Sequence, residues 1–330
     1  MLNQIFSLIV IIICFFYYSS FIALPAFLLN KQNNIMPLIT NNLVLTISEE
    51  LIHNFKTEIY YNKELNLINK PNKIDILVLN HPTSFDIFLV YLILKNYKPE
   101  DIIFVGKNTI SYIPFIGLIY DNHIKISRDW KDDEELLINQ IKKINNGIIV
   151  IFPEGTRFDN NKLIEGRKFS EINNYPIYDN LLVPKAKGLW TIYNYLKNAN
   201  KIGNLYDITI ISEKYLKKKA YFKHIIKNPF GNIFVVNREI SIDKNIDNYN
   251  DFKLWLLNIW SEKDNIINNY KNNNYEKMNF DNYKYNHIYK ISVIIIFIYF
   301  LTFKYIRYYL LFALIVSYII IFYKKYRKYK

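Results

Sequence analysis

The chain of 330 residues has one cysteine, Cys14, and it stands inside an apolar run. An intrachain disulfide is therefore excluded, and a cysteine zinc cluster or a dithiol site lacks the residues it would need. Charge is absent from residues 5–29, IFSLIVIIICFFYYSSFIALPAFLL, a stretch long enough to cross a bilayer. The uncharged start MLNQ and the length of that run favour a retained anchor over a cleaved signal peptide. Acidic residues are absent from Asn282 to the end, where nine Lys/Arg flank the apolar runs ISVIIIFIYFLTF (291–303) and YYLLFALIVSYIIIFY (308–323). The formal charge of +13 is thus concentrated beside apolar segments and the central region is only mildly basic. That distribution points to a lipid surface and away from nucleic acid.

Each C-terminal run is short for a full crossing, and Lys304 with Arg307 separates them. They read as a membrane hairpin or paired membrane segments, with a re-entrant arrangement as the alternative. A hairpin would return the basic tail KKYRKYK (324–330) to the side of the central region, which the positive-inside rule makes cytosolic.

Between these ends, short β-rich runs alternate with helical patterns. IDILVL (74–79), DIIFVG (101–106), HIKIS (123–127), GIIVIF (147–152), YDITIIS (206–212) and IFVVNREI (233–240) read as strands. DIFLVYLILK from Asp86 reads as a helix, and so does DDEELLINQIKKINN, with acids first, lysines late and Gly147 just beyond. The pattern predicts an α/β fold, a mixed and largely parallel sheet flanked by helices, with membrane helices at both termini.

The polar residues cluster where strands end. NHPTSFD (80–86) follows the first strand and places His81 five residues before Asp86. On a regular helix five residues turn through about 500°, so the two side chains meet only if His81 lies outside the helix, and Pro82 favours that. Thr83 with Asp86 is also an [ST]-x-x-[DE] capping box that needs no catalysis. Both readings remain open on these residues alone. FPEGTRF (152–158) follows GIIVIF, and there Arg157 can grip a phosphate while Gly155 lets backbone amides approach it. A solvated turn with a surface Glu/Arg pair is the plainer alternative. Two polar turns at two strand ends favour one shared site, since ligands in open α/β sheets sit there.

Together, NHPTSFD and FPEGTRF resemble the first and third blocks of the glycerolipid acyltransferase superfamily. GKNTISYIPFIG (106–117) is similar to the segment between them, and HIKISRD (123–129) to the second block. LLVPKAKGLW (181–190), YDITI (206–210) and WLLNIWSEKDNIINNY (255–270) resemble the subgroup of lysocardiolipin and membrane 1-acylglycerol-3-phosphate acyltransferases. The resemblance implies His81 as general base with Asp86 orienting it. It also implies Arg128, Glu154, Gly155, Thr156 and Arg157 as acceptor-binding residues, with Lys107 and Lys185 as further contacts for phosphate or CoA. Ser127 stands where the second block usually has an acid, and EGRKFSEINNYPIYDN (165–180) has no ready counterpart, so Lys162 and the charges of 165–168 are left outside the site. His123, Trp190, Trp255 and Trp260 read as packing residues, and Pro184 with Gly188 as a turn.

The resemblance implies acyl transfer from acyl-CoA to the free hydroxyl of 1-acylglycerol 3-phosphate, making phosphatidic acid, without metal or other cofactor. The alternatives are remodelling of lysocardiolipin, lysophosphatidylglycerol or lysophosphatidylinositol, and a catalytically inactive membrane adaptor. The expected partners are acyl-CoA, a lysophospholipid and the bilayer; nothing identifies a protein partner. The expected organisation is an anchor at 1–30, a membrane-proximal segment at 31–73, an acyltransferase domain at 74–270, a linker at 271–286, membrane segments at 287–323 and the tail at 324–330. The expected address is the endoplasmic reticulum membrane, with the domain and tail cytosolic.

Overall fold

The computed structural model describes residues 57–63, 71–83, 85–95, 97, 101–112, 123–127, 130–216, 231–242 and 246–277, with scattered helical positions at 44–52 and 308–319. The apolar segments 5–29 and 291–303, and most of 308–323, lie outside the described residues. Among the described residues no helix is long and apolar enough to cross a membrane.

Eight strands form one sheet: β1 (Ile59–Tyr61), β2 (Ile74–Leu79), β3 (Ile102–Lys107), β4 (Ile124–Ile126), β5 (Gly147–Ile151), β6 (Ile202–Ser212), β7 (Ile233–Ile240) and β8 (Glu276–Lys277). Their order is β4-β3-β5-β2-β6-β7-β1-β8. The run from β4 to β6 is parallel, β7 is antiparallel to β6, β1 is parallel to β7, and β8 is antiparallel to β1. The sheet is mixed and its centre parallel, as the strand patterning predicts.

Five longer helices accompany it: α1 (Asp86–Ile93), α2 (Trp130–Ile141), α3 (Asn160–Asn173), α4 (Ala186–Asn198) and α5 (Tyr249–Asn268). Alternation along the strands sorts their side chains onto the two faces. Leu77, Leu79, Ile148 and Val150 pack with Leu89, Val90 and Leu92 of α1. Ile76, Val78, Ile149 and Ile151 pack on the opposite face with Leu137 and Ile141 of α2, Leu189 and Ile192 of α4, and Leu256 and Trp260 of α5. Covered on both faces, β2 is buried at every position, which is why IDILVL reads as a continuous apolar run. Its one acid, Asp75, is buried and accepts the Asn204 N–H at 2.7 Å across an irregularity in the β2–β6 pairing. Gly203 is required there, because a Cβ would stand within 3.2 Å of the Ile74 backbone as well as striking the Asp75 carboxylate.

The connections locate the crevice. From β2 the chain crosses to β3 on one side, whereas from β5 it crosses to β6 on the other, and the two strands are neighbours. Right-handed crossovers leaving in opposite directions must lie on opposite faces, and they do. The C-terminal ends of β2 and β5 therefore flank a switch point, where the covering layers part and leave room for a ligand.

Several expectations differ from the structure. The acidic helix ends at Ile141, and its lysines follow it in a turn. Gly147 opens β5, as the strand run GIIVIF has it, with φ 131° and a Cβ position 2.5 Å from the Asp101 carbonyl oxygen, and is not a cap of that helix. Gly188 lies inside α4, against Ile151, not in a turn with Pro184. The stretch without a family counterpart contains most of α3, capped by Asp159, which accepts the Asn161 N–H at 3.0 Å, and closed by Asn174 at φ 53°. Strands β1 and β8 belong to the sheet although they fall within the 31–73 and 271–286 segments. Pairing of β1 with β7, and of β8 with β1, supplies the backbone partners that their short sequences do not advertise.

Candidate active site

The turn after β2 is anchored first through Asn80. Its buried side-chain amide donates to the Ile210 carbonyl at 2.9 Å and accepts the Ile210 N–H at 2.8 Å, continuing the sheet pairing one residue past the strand. His81 follows, and its Nδ1 lies 2.7 Å from Asp86 Oδ2. The Asp86 side chain is fully buried and that of His81 is 22% exposed, so one end of the imidazole is held inside while the other reaches the surface. The Phe152 ring lies 4.5 Å from the imidazole, centroid to centroid, and limits its tilt.

Thr83 is not the helix cap that the capping-box spacing suggests, since Phe85 holds the N-cap position without a side-chain cap bond, but one carboxylate serves both the turn and His81. Asp86 accepts the Thr83 N–H at 3.0 Å and the Thr83 hydroxyl, while the Thr83 oxygen accepts the Phe85 N–H at 3.1 Å. A carboxylate has lone pairs enough for the turn and for His81 together. The imidazole consequently presents Nδ1–H to Asp86 and leaves Nε2 as the acceptor, the arrangement required of a general base.

The turn after β5 meets this one directly. The Phe158 N–H donates to the His81 carbonyl at 2.9 Å, and the His81 N–H approaches Glu154 Oε1 at 3.4 Å. Gly155 adopts φ 67°, and its N–H closes the turn on the Phe152 carbonyl at 2.9 Å. A side chain at that position would be strained and would stand 3.5 Å from Lys185 Cδ. Lys185 is thus laid along the turn, and its N–H donates to the Pro153 carbonyl at 2.8 Å. Thr156 is half-buried and Arg157 is exposed, on the same turn. Lys107, exposed, ends β3 on the same C-terminal edge of the sheet. Arg128 lies outside the described residues. Lys162, left outside by the sequence reading, donates to Thr156 Oγ1 at 2.6 Å from the first turn of α3.

Glu154 is only 2% exposed. Burial pushes its carboxyl up to about 8, with the Asp86 carboxylate adding to the rise; backbone N–H groups of His81 and Leu182 and the cation of Lys263 oppose it. His123 is a packing residue, as its sequence position suggests: its Nδ1 accepts the Phe104 N–H at 3.3 Å, and burial with Lys125 nearby lowers its pKa to about 4. Trp260 is fully buried, and Trp190 and Trp255 pack against Phe252. Among the described residues no group of three or more His, Cys, Asp or Glu is arranged to hold a metal ion.

Residues 61–171, which contain both turns, match the family model described as Acyltransferase. The chain is thus similar to that family over those residues. It is 25% identical over 209 residues to the probable 1-acyl-sn-glycerol-3-phosphate acyltransferase 5 of Arabidopsis thaliana, covering 60% of this chain and 54% of that protein. It is likewise 25% identical over 204 residues to lysocardiolipin acyltransferase 1 of Mus musculus, covering 59% of this chain and 53% of the relative. The chain thus spans about half the length of the curated relatives it matches. Among solved structures, the 1-acyl-sn-glycerophosphate (LPA) acyltransferase PlsC of Thermotoga maritima superimposes with a TM-score of 0.43 at 14% identity, covering 82% of this chain and 98% of that one.

The sheet and its helices also contain polar residues that short motifs do not point to. Asn80 is one; Asp207 and Lys263, both fully buried, are others. Lys263 could have been found by periodicity: it occupies a core position of α5 in series with Leu256, Trp260 and Ile267.

Proposed function

We propose that the domain transfers a fatty acyl group from acyl-CoA to the free hydroxyl of 1-acylglycerol 3-phosphate, making phosphatidic acid. The observation that carries the reading is the His81–Asp86 pair, partly exposed at the histidine and fully buried at the aspartate, beside the Glu154–Arg157 turn. A glycerol hydroxyl is a weak nucleophile at neutral pH, so a base must take its proton as it attacks the thioester carbonyl. His81 Nε2 is that base, and Asp86 holds the tautomer and stabilises the imidazolium. A C–O bond forms to the acyl carbon, and as the tetrahedral intermediate collapses the C–S bond breaks. The proton held by His81 passes to the departing sulfur, so CoA leaves as its thiol. No covalent enzyme intermediate is needed.

General-base catalysis contributes about 10²- to 10⁴-fold, and positioning with oxyanion stabilisation supplies the rest. Arg157, Thr156 and the Gly155 backbone hold the acceptor's phosphate, with Arg128 assisting. Lys107 and Lys185 add positive charge on the same sheet edge for the phosphates of acceptor or CoA. Glu154, buried behind the turn, holds backbone and does not face the anion.

The acceptor is drawn from a bilayer. Supporting that, α3 leaves the turn at 152–158 with Ile164, Phe169 and Ile172 exposed beside Lys162 and Lys168, a basic and apolar mixture suited to an anionic lipid surface. The described positions of the C-terminal run expose Leu311, Phe312, Ile315 and Ile319 as well. The membrane is the endoplasmic reticulum, with domain and tail on the cytosolic side.

A second reading is favoured by the equal identity to a relative named as a lysocardiolipin acyltransferase: acylation of a lysophospholipid with a larger head group. One experiment separates them. Purified, detergent-solubilised protein is given labelled oleoyl-CoA and a panel of lysophospholipids, with His81→Ala alongside. Phosphatidic acid lost in the variant supports the first reading. Product from lysocardiolipin, lysophosphatidylglycerol or lysophosphatidylinositol moves the function to remodelling, and folded protein inert toward every acceptor is an adaptor.

A further inference from the structure

Two strands of the sheet end on the same asparagine device, and one of them leads straight into His81. The β2–β6 pairing stops at Leu79 opposite Ile208, so in continued register His81 would stand opposite Ile210. A residue in a parallel ladder bonds the neighbours on either side of the one it faces, and Ile210 would therefore need the carbonyl of residue 80 and the N–H of residue 82. Residue 82 is proline and has no N–H to give. The Asn80 side chain fills both places. Its Oδ1 accepts the Ile210 N–H at 2.8 Å and its Nδ2 donates to the Ile210 carbonyl at 2.9 Å, in a setting where Asn80 is only 2% exposed.

The consequence falls on the backbone of His81. With Ile210 served by a side chain, that backbone is released from β6 and turns to the other neighbour of β2. Its carbonyl accepts the Phe158 N–H at 2.9 Å and its N–H approaches Glu154 Oε1 at 3.4 Å, both in the turn after β5. The bonds of Asp86 to Thr83 and His81 fix the shape of residues 80–86 but not their place against that second turn. The clamp on β6 and the bond to Phe158 fix the place.

Strand β1 ends in the same way. Its last pair is Tyr61 with Val235, and Asn62 then accepts the Asn237 N–H at 2.8 Å and donates to the Asn237 carbonyl at 3.2 Å. Each asparagine is the first residue past its strand, and each partner lies two positions beyond the last paired residue. Because β1 is parallel to β7, and β7 is antiparallel to β6 while β2 is parallel to it, β1 runs against β2. Asn62, which is exposed, therefore sits at the edge of the sheet away from the site.

We infer that Asn80 is a positioning residue for acyl transfer: its amide ends β2 and frees the His81 backbone to join the acceptor turn, which brings Nε2 to the hydroxyl of the acceptor held there. The role needs a donor and an acceptor side by side on a short stem, and a carboxamide provides both. Asn62 performs the same strand-ending task with no base beside it.

The inference rests on the acyl-transfer reading, and the test keeps the two apart. Acyl transfer and amide hydrogen exchange are measured for the parent, Asn80→Leu, Asn80→Ser and Asn62→Leu, and for His81→Ala with and without Asn80→Leu. Leucine matches asparagine in size and offers no hydrogen bond. Asn80→Leu is expected to lower kcat on the order of 10²-fold with the KM for acyl-CoA unchanged, the effect of a misplaced base. Asn62→Leu keeps the kcat of the parent. On the residual rate of His81→Ala, Asn80→Leu removes nothing further, because the group it positions is gone. Without substrate, the Phe158 amide should exchange on the order of tenfold faster in Asn80→Leu and at the parent's rate in Asn62→Leu. A parent-like kcat in Asn80→Leu, a loss confined to KM, a further loss in the His81→Ala background, or unchanged exchange at Phe158 overturns the inference.

If Asn80→Leu does not fold, Asn80→Ser decides. Its hydroxyl is too short to reach both groups of Ile210, and the vacated space admits water that keeps them solvated. A parent-like kcat in that variant overturns the inference. A parent that transfers no acyl group defeats the acyl-transfer reading, and exchange at Phe158 then judges the clamp alone.

Discussion

The two turns of the site are held in different ways. Residues 80–86 are closed mainly by their own hydrogen bonds: Asp86 serves Thr83 and His81, and Thr83 serves Phe85. Residues 152–158 are held by distant parts of the chain: Glu154 by the amides of His81 and Leu182 and the field of Lys263, Pro153 by Lys185, and Phe158 by His81. A turn built from local bonds keeps its geometry when its surroundings shift. A turn built from tertiary contacts can be adjusted from behind. The chemistry is accordingly assigned to the first, and the acceptor contacts to the second.

The largest effect should come from breaking the first turn's function while leaving its structure. His81→Ala removes the base and leaves Asp86 bonded to Thr83, so acyl transfer should fall about 10²- to 10⁴-fold with an unchanged melting curve. A variant that retained parent activity would refute the general-base role. The helix behind the second turn is challenged by Trp260→Ala. That residue is fully buried between α5 and the sheet, so truncation should cost roughly 3–5 kcal/mol in denaturant unfolding. It should also weaken acceptor binding before it affects the His81–Asp86 pair.

Glu154→Gln sharpens the comparison through pH. The folded-state pKa of Glu154, about 8, stands above its value of 4.5 in a solvated chain, so the folded state binds the proton more tightly than the unfolded state. Stability from this group is fully present below about 4.5 and is lost as pH rises through about 8. The parent should therefore lose stability relative to Glu154→Gln across that window, by a few kcal/mol, in urea titrations at successive pH values. Equal pH slopes in the two proteins would place Glu154 in solvent. The smallest effect is expected at Thr83→Val, which removes one hydroxyl from the first turn. Roughly 1 kcal/mol of stability and a modest loss of rate should follow, since Asp86 keeps the Thr83 amide and His81.

The difference between the turns also explains which parts of the molecule could be read in advance. The Thr83–Asp86 spacing suggested a capping box; the two residues do bond each other, but in a turn before the helix, where Phe85 is the cap position and the same carboxylate also serves His81. The central strands β2 and β5 were legible as continuous apolar runs, since burial on both faces removes polar alternation from a parallel sheet. Gly147 was legible as the start of a strand, but its need to be glycine was not, because the Asp101 carbonyl that excludes a side chain there comes from a distant part of the chain. Helix α3 was missed because its exposed surface mixes Ile164, Phe169 and Ile172 with charge, leaving little amphipathic signal.

The sequence by itself determined what depends on neighbours along the chain: the strand runs, the capped turn after β2, the glycine turn after β5 and the apolar ends. Tertiary structure alone decided what depends on residues brought together from far apart. It set the strand order that makes β2 and β5 adjacent, and with it the meeting of His81 and Glu154, 73 positions apart in the chain. It also decided that Lys263 would be buried against Asp207. A local pattern encodes backbone preference, but the field at a carboxylate depends on distance and burial, and those exist only once the chain has folded.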